Sequence, residues 1–565
     1  MNLSDNSQWD FSEYGTAERL KAVFGKEIRY IKDEKCWAVY NSGLWYVEEE
    51  QFFVHDKIKF IAAAIKQEAQ DLVKTITNKM SDKEKERINA RAQEIMSYAG
   101  RMSNLVHMKH AVDLAKSGLL CCYDDFNKSG NLIGLQGGKV LDLQTMTVRD
   151  GKPEDMITRC LGGIPNIDAN GNFVMSDEFR TYIKVFIPDA SVREYLRMYL
   201  GGALCGRLLR SASDKCFMMI KNLGGTGKST FLTALRAAFG DGKNGKNGYC
   251  VDSKMGILTG KNADGNSPDA LIAALRGGVR LAIISEVDVN AELNVAQCCK
   301  ITGGDRLPYR PPHGRKELSF DPDFKVVVVG NRLPTVCNKS DNEAFRSRLR
   351  IINRREKFAV EDTDTEMKTK METNENLIND MVTWILEGSK MYLDKKGNID
   401  DFNGTNADTC NLPFDMKVAF KQYVDENDDI AEFFTSFYTL SENTSDFVTL
   451  HAITQNWRNY TGDNYITTIA FNKVLKPYLE RLKDAGYKDI YETRRYSVIC
   501  VKKGKDEKYY RGNYLGVCGI QLADKMVGLD DDATIPKSAY KGDFPVKKRG
   551  YYDPDYTKTQ KKSAM

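Results

Sequence analysis

The sequence predicts an α/β protein built on a parallel sheet covered by helices, preceded by a mixed α+β region and followed by a smaller region of winged-helix pattern. Three observations carry this. The short apolar runs CFMMI (216–220), LAII (281–284) and KVVVV (325–329) lack polar alternation, as strands buried on both faces do. The glycine-rich segment KNLGGTGKSTFLTALRAAFG (Lys221 to Gly240) follows the first run and opens an amphipathic helix, the context of a phosphate-binding loop. Beyond Pro413 two helical patterns, LHAITQNWRNYTG and TTIAFNKVLKPYLERLK, precede the strand RRYSVICVKKGK with its basic ends.

A chain of 565 residues has room for three or four domains of about 150 residues each. The expected divisions are an amino-terminal domain over 1–190, a central domain over 191–395, a linker over 396–412, a winged-helix-like domain over 413–525 and a mobile tail over 526–565. In the first, CWAVYNSGLWYV (Cys36 to Val47) places two alternating runs about Asn-Ser-Gly and predicts a hairpin. Its Trp37 and Trp45 are expected to build a core, with stacking on bases as the other use of such rings. His107 and His110 stand at i and i+3 on a predicted helix and could share a metal, but no carboxylate or cysteine stands nearby in register, so no metal site is expected. Ser191 to Leu209 reads as a helix. Val360 to Asn376, charged and almost free of large apolar groups, reads as a surface connection, followed by a helix from Leu377 to about Leu393. From Pro413 to about Leu522 the pattern reads as helices, then strands.

Composition excludes several classes. With 42% hydrophobic and 28% charged residues the chain is ordinary for a globular protein. No apolar run approaches the roughly 20 residues that cross a bilayer, and the first residues lack a basic and an apolar leader segment, so no membrane partner and a cytoplasmic location are expected. The 13 cysteines are scattered without a C-x-x-C knuckle, which suits reduced thiols better than bridges or zinc. A formal net charge of +4 announces no nucleic-acid partner by itself.

In the glycine-rich segment, Gly224, Gly225 and Gly227 let main-chain N–H groups approach a phosphate with no Cβ in the way. Thr226 lies among them, Lys228 supplies a mobile charge for the β- and γ-phosphates of ATP, Ser229 is placed to ligate Mg²⁺, and Thr230 continues the first turn of a helix whose dipole favours an anion. The loop pattern is broken at its first position, Asn222. About 50 residues on, RLAIISEVD (Arg280 to Asp288) is a buried strand delivering acids at its carboxyl end, where ligands sit in an open α/β sheet. Glu286 is expected to polarise the attacking water and, with Asp288, to help hold Mg²⁺. FKVVVVGNRLP (Phe324 to Pro334) ends in Asn331, a neutral group suited to bonding the γ-phosphate or the water. AFRSRLRII (Ala344 to Ile352) then offers Arg346 and Arg348, placed to reach a neighbouring subunit's nucleotide in a ring. TGGDRLPYRPPHGRKELSFDP (Thr302 to Pro322) reads as two strand-like arms around Pro-Pro-His-Gly, with His313, Arg315 and Lys316 at the tip and Lys300 before it.

Taken in order, GGTGKST, RLAIISE, KITGGDRLPYR, FKVVVVGNRLP and FRSRLRII resemble superfamily three helicases, in particular the poxvirus and phage or plasmid primase-helicase branch. Upstream, YGTAERLKAVFGKEIRYIKDEKCWAVYNSGLW and GLQGGKVLDLQTMTVRDG look like the domain that precedes the motor there. The resemblance covers Asp10 to Ile352 well and the rest to Leu522 loosely, with Asn222 and Thr226 as departures. It implies an AAA+ type ATPase working as a ring, in the form of a hexamer, and moving 3′ to 5′ on single-stranded and forked DNA during replication of a phage, plasmid or other mobile element. A separate primase or replication initiator is an implied partner. In the family the hairpin before the sensor strand grips the DNA backbone, which casts Lys300, His313, Arg315 and Lys316 as phosphate contacts. The rivals are an ATP-regulated replication initiator and a combined primase-helicase. For the latter, Tyr123 to Asp125 is the only carboxylate pair resembling a polymerase centre and lacks a spaced third acid.

Overall fold

The computed structural model describes residues 9–48, 52–206, 209–210, 214–222, 226–240, 247–260, 269–287, 291–310, 317–337, 343–354, 366–395, 412–426, 429–441, 443–462, 465–484, 487–503 and 506–523. The chain divides into one unit of Met1–Thr335 with Ala344–Phe420 and another of Val336–Glu343 with Lys421–Met565. The linker read over 396–412, apart from its last residue, and the tail read over 526–565 lie outside the described residues.

The amino-terminal part of the first unit is α+β. Helix α1 (Glu13–Phe24) starts where Ser12 Oγ accepts from Gly15 N at 3.0 Å, a side-chain cap for an otherwise orphaned donor. Strands β1 (Ile28–Ile31), β2 (Cys36–Asn41) and β3 (Leu44–Glu48), helices α2 (Phe52–Lys74), α3 (Asp82–Arg101) and α4 (Leu105–Ala115), and strand β4 (Leu120–Cys121) follow. The sheet runs β3-β2-β1-β4, antiparallel except between β1 and β4. Leu20 of α1, Trp37 of β2, Ile58 of α2 and Ala111 of α4 share one core, while Trp45 joins Ile31, Ala38 and Phe126 in another. The rings of Trp37 and Trp45 are enclosed, at 0% and 1% exposure, which leaves no face for a base. Strands β5 (Leu132–Leu135), β6 (Lys139–Asp142) and β7 (Thr147–Asp150) form an antiparallel meander.

Two helices lead to the central sheet: α5 (Asp177–Phe186), capped by Ser176, and α6 (Ala190–Leu204), capped by Asp189. Helix α6 stops five residues short of the predicted Leu209. Cys205 turns extended at φ −65°, ψ 123°, and Gly206 N then donates to Gly130 O at 3.0 Å. A tertiary contact outcompetes the helical propensity of the next few residues.

Along the chain come β8 (Phe217–Asn222), α7 (Lys228–Phe239), β9 (Cys250–Asp252), α8 (Gly256–Thr259), α9 (Asp269–Ala273), β10 (Leu281–Ile284), β11 (Glu292–Asn294), α10 (Val295–Thr302), β12 (Leu307–Tyr309), β13 (Leu318–Phe320), β14 (Lys325–Gly330), β15 (Thr335–Cys337), α11 (Glu343–Arg346) and β16 (Leu349–Arg354). They are followed by α12 (Met367–Thr373), α13 (Glu375–Asp394) and α14 (Phe414–Glu426). The three apolar runs are β8, β10 and β14 of one five-stranded sheet, ordered β16-β8-β14-β10-β9 and parallel throughout. Met218, Ile220, Ile283 and Val327 belong to a core shared with α6, α7 and α13. The alternate residues Phe217, Met219, Ala282, Val326 and Val328 are buried as well, which explains why these strands carry no polar alternation.

Helices α6 and α13 cross at glycines. A Cβ on Gly201 would stand 2.1 Å from the Gly388 carbonyl carbon, and one on Gly388 would stand 2.1 Å from Arg197 O. Beneath the sheet Lys325 Nζ meets Asp214 Oδ1 at 2.6 Å, with side-chain exposures of 2% and 1%, and Tyr392 donates its hydroxyl to Asp214 Oδ2 at 2.5 Å. Burial pushes the Asp214 carboxyl up, but Lys325 and these hydrogen bonds more than offset it and hold the group below the ordinary carboxylate range. The charged stretch read as a surface connection over Val360 to Asn376 contains α12, with Met371 1% exposed. Met367 and Met371, at i and i+4, supply the apolar stripe, too narrow to stand out among charged neighbours.

In the second unit α15 (Asp429–Phe437), β17 (Tyr438–Leu440) and β18 (Phe447–Thr449) precede α16 (Leu450–Thr461), α17 (Thr468–Asp484), β19 (Tyr491–Lys503), β20 (Asp506–Cys518) and β21 (Ile520–Leu522). Two short strands therefore interrupt the helices, where the sequence pattern put all strands last. They complete antiparallel sheets, β18-β20-β19 and β17-β21, whose partners lie about 70 and about 80 residues downstream and leave no local signal. Phe433, Trp457, Phe471 and Leu475 form the core. Among the described residues no helix is long and apolar enough to cross a membrane.

Candidate nucleotide site and its surroundings

All five strands of the central sheet run the same way, so their carboxyl ends lie along one edge. Helix α7 leaves that edge directly after β8. Its N-cap, Gly227, sits at φ +76°, ψ 12° and, as glycine, brings no side chain to cap the first turn, which suits the leading N–H groups to an anion. Thr226 is buried at 1% exposure and Ser229 is exposed. Gly224 and Gly225 lie outside the described residues.

Strand β14 lies between β8 and β10, and this position brings the predicted groups together. Lys228 Nζ donates to Asn331 Oδ1 at 2.9 Å across 103 residues of sequence. Val328 pairs with Ile284, and Gly330 and Glu286 each follow two residues later, so the acid stands level with the end of β14. The chains stay close there: a Cβ on Gly330 would fall 2.9 Å from Val287 Cγ2 and 2.8 Å from Arg332 O. Only glycine lets the strand ends approach while Asn331 turns toward Lys228. Glu286 is exposed, and Asp288 lies outside the described residues.

Arg348 donates through Nε to Thr302 Oγ1 at 3.1 Å and through Nη1 to Ala344 O at 3.0 Å, joining the last residue of α10 to the arginine segment. Arg346 stands over the Phe420 ring, 5.9 Å from its centroid. Both are half-buried. Sequence reasoning did not see the buried Arg350, which donates through Nε to the Tyr195 hydroxyl at 2.9 Å and fastens β16 to α6.

The arms of the predicted hairpin are β12 and β13, antiparallel with Leu307 opposite Phe320 and Tyr309 opposite Leu318. Lys300 occupies the last turn of α10 just before them. The tip residues His313, Arg315 and Lys316 lie outside the described residues. At the turn end of the paired arms, the Arg276 guanidinium lies 5.2 Å from the Tyr309 ring centroid and 4.5 Å from that of Tyr123. It also pairs with Asp33 at 3.1 Å and Glu34 at 2.5 Å, and stands 4.0 Å from Asp124. The Tyr123 to Asp125 segment thus has an occupation that the sequence did not reveal. Asp124 faces Arg276, while Asp125 accepts from Cys122 N at 2.8 Å and pairs with Lys128 at 2.9 Å.

One absence expected from sequence is corrected. Glu13 of α1 meets both histidines of α4, its Oε1 lying 2.6 Å from His107 Nδ1 and 3.2 Å from His110 Nδ1. The carboxylate is 94 residues from His107, beyond any local register.

Residues 17–187 match the family described as "D5 N terminal like". "Putative helicase L207/L206" of Acanthamoeba polyphaga mimivirus is 28% identical over 255 residues, 44% of this chain and 24% of that protein. "Putative helicase 184R" of Invertebrate iridescent virus 6 is 23% identical over 389 residues, 64% of this chain and 38% of its own length. "Putative helicase V13" of Sputnik virophage is 22% identical over 257 residues, 42% of this chain and 30% of that one. The chain thus spans between a quarter and two fifths of these relatives. A solved structure, the A form apo structure of the NrS-1 C-terminal region, overlaps 89% of this chain and 98% of that one at 9% identity, with a TM-score of 0.38, too loose to inform fold or activity. With a D5 N terminal like region over residues 17–187, ahead of the five-stranded parallel sheet, and helicase-named relatives from large DNA viruses and a virophage, the chain is similar to superfamily three helicase-like proteins of the poxvirus D5 type.

Proposed function

We propose that the chain hydrolyses ATP at the carboxyl edge of the central sheet and uses the energy to move along single-stranded DNA, unwinding duplex ahead of it during replication of a viral or other mobile genome. The observation that carries this reading is the contact of Lys228 with Asn331 beside an uncapped helix N-terminus, level with Glu286. A cation, an anion-binding set of N–H groups, a neutral sensor and a carboxylate at one edge are the parts phosphoryl transfer requires, since that chemistry depends on positioning and electrostatics.

The leading amides of α7 and Lys228 hold the phosphates, and Gly227 keeps the approach free of a side chain. Lys228 must exchange Asn331 for phosphate oxygens, which releases the Asn331 amide to orient the γ-phosphate or the attacking water. Glu286 draws the proton of that water. Mg²⁺, for which Ser229, Glu286 and Asp288 are the ligating or water-linked groups, supplies charge neutralisation when bound. Arg346 and Arg348 are the candidates to reach a neighbouring nucleotide in an AAA+ type ring, a hexamer on the family pattern. The Thr302–Arg348 bond gives such an arginine a direct connection to the base of the hairpin, whose Lys300, His313, Arg315 and Lys316 hold DNA phosphates. In the second unit α16, α17 and β19 form a winged-helix-like module, and the exposed Arg494 on β19 suits a further DNA contact.

Strand displacement on a forked duplex tests the reading, with a 3′ and a 5′ single-stranded arm offered separately. Displacement that requires ATP and the 3′ arm is expected. Nucleotide-dependent DNA binding without displacement would favour the rival role, an ATP-controlled initiator.

A further inference from the structure

The cluster of Glu13, His107 and His110 stands apart from the nucleotide site and takes no part in the proposed motor. We propose that these three residues form a binding site for one zinc-like divalent cation, joining the start of α1 to α4 in the amino-terminal region.

The ligand chemistry is that of borderline transition metals: two imidazoles and one carboxylate, with a fourth position open to water. One oxygen of Glu13 and one nitrogen of each histidine lie within 4.8 Å of one another. Tetrahedral coordination with metal–ligand distances near 2.1 Å sets the ligand atoms about 3.4 Å apart. The observed separations from Glu13 Oε1, 2.6 Å and 3.2 Å, therefore need to open by less than an ångström. The side chains can do this, being 31%, 39% and 56% exposed for Glu13, His107 and His110, and the same exposure leaves an entry path for the ion.

The backbones that carry these side chains are fixed independently of the site. Glu13 is the first residue of α1, held by the Ser12 cap, and α4 starts on an Asn104 cap. Ala17 and Leu20 of α1 and Met108, Ala111 and Val112 of α4 lie in one buried core. The spacing of three residues puts both histidines on one face of α4, and the core turns that face toward Glu13. The three donors are thus preorganised by packing rather than gathered by the ion, which lowers the entropic cost of binding. Glu13 supplies the carboxylate oxygen of the set. Without metal the histidines donate from Nδ1 to the carboxylate; ligation through Nδ1 uses the other neutral tautomer, the proton passing through solvent to Nε2.

The test is zinc titration of the chelator-stripped full chain by calorimetry and thermal unfolding, beside His110→Gln and Glu13→Gln, with Mg²⁺ as a hard-cation control. His110 is exposed and Glu13 half-buried, and unchanged metal-free unfolding checks that both variants fold. The expected result is one zinc equivalent whose affinity falls at least tenfold in each variant, with a zinc-dependent rise in melting temperature that both variants lose and Mg²⁺ does not reproduce. Zinc binding equal in wild type and both variants would assign the ion to other groups, such as the thiols, and overturn the proposal. Absence of zinc binding to the wild type would reduce the cluster to a hydrogen-bonded triad and overturn it equally.

Discussion

Replacing Asn331 with alanine separates a chemical role from a structural one. The side chain is exposed, and its hydrogen bond within the chain runs to Lys228 at 2.9 Å. An exposed bond of this kind contributes no more than about 1 kcal/mol to folding, and truncating the side chain empties no core. If Asn331 orients the γ-phosphate or the water as charge develops, its loss removes one preorganised donor. That costs about 10² to 10³ in turnover, equivalent to roughly 2.7–4 kcal/mol of barrier. The assay is steady-state ATP hydrolysis in the presence of single-stranded DNA, with KM and kcat resolved and thermal unfolding run in parallel. The expected outcome is a kcat reduced by two to three orders of magnitude, a KM changed only a few-fold and an unchanged melting curve. A kcat within about threefold of wild type would refute the sensor assignment, because a group acting in the transition state cannot be removed at so little expense.

Two further expectations concern other parts of the molecule. Asp214→Asn leaves Lys325 buried without its anion and should destabilise the first unit by about 3–5 kcal/mol in chemical denaturation. Because the Asp214 carboxyl is held below its unfolded value, its contribution is fully present above the ordinary carboxylate range near pH 4 and is lost as pH falls through the lower folded value. The stabilities of wild type and variant should therefore converge in acid, and a gap that widens as pH falls would contradict the ion pair. Neutralising Arg315 and Lys316 together should flatten the salt dependence of DNA binding by about one to two units of log–log slope per engaged subunit, and an unchanged slope would remove the hairpin tip from the DNA path.

What the sequence made legible depends on how local each signal is. The strands β8, β10 and β14 were readable because double burial leaves apolar runs without alternation, and the hairpin of β2 and β3 because its turn residues and alternation are adjacent. The sequence pattern put Lys228 and Asn331 at a shared sheet edge, each toward a phosphate, but did not foresee their direct hydrogen bond. The order that inserts β14 between β8 and β10, and so sets their distance, left no local trace. Helix α12 was missed because two methionines in a charged stretch carry too little periodicity. The occupation of Asp124 by Arg276, 152 residues on, and the meeting of Glu13 with His107 and His110 depend on tertiary packing alone. The absence of a carboxylate partner for the histidines was inferred from the neighbouring sequence, and that is why it failed.

The most direct measurement of the central claim is the rate of ATP hydrolysis by the purified chain and by Lys228→Ala, each with and without single-stranded DNA. The wild type should hydrolyse ATP and do so faster on DNA, while the variant folds normally and hydrolyses at background under both conditions. Hydrolysis at background by the wild type in the presence of DNA, or equal rates in wild type and variant, would contradict a phosphate-loop motor in this protein.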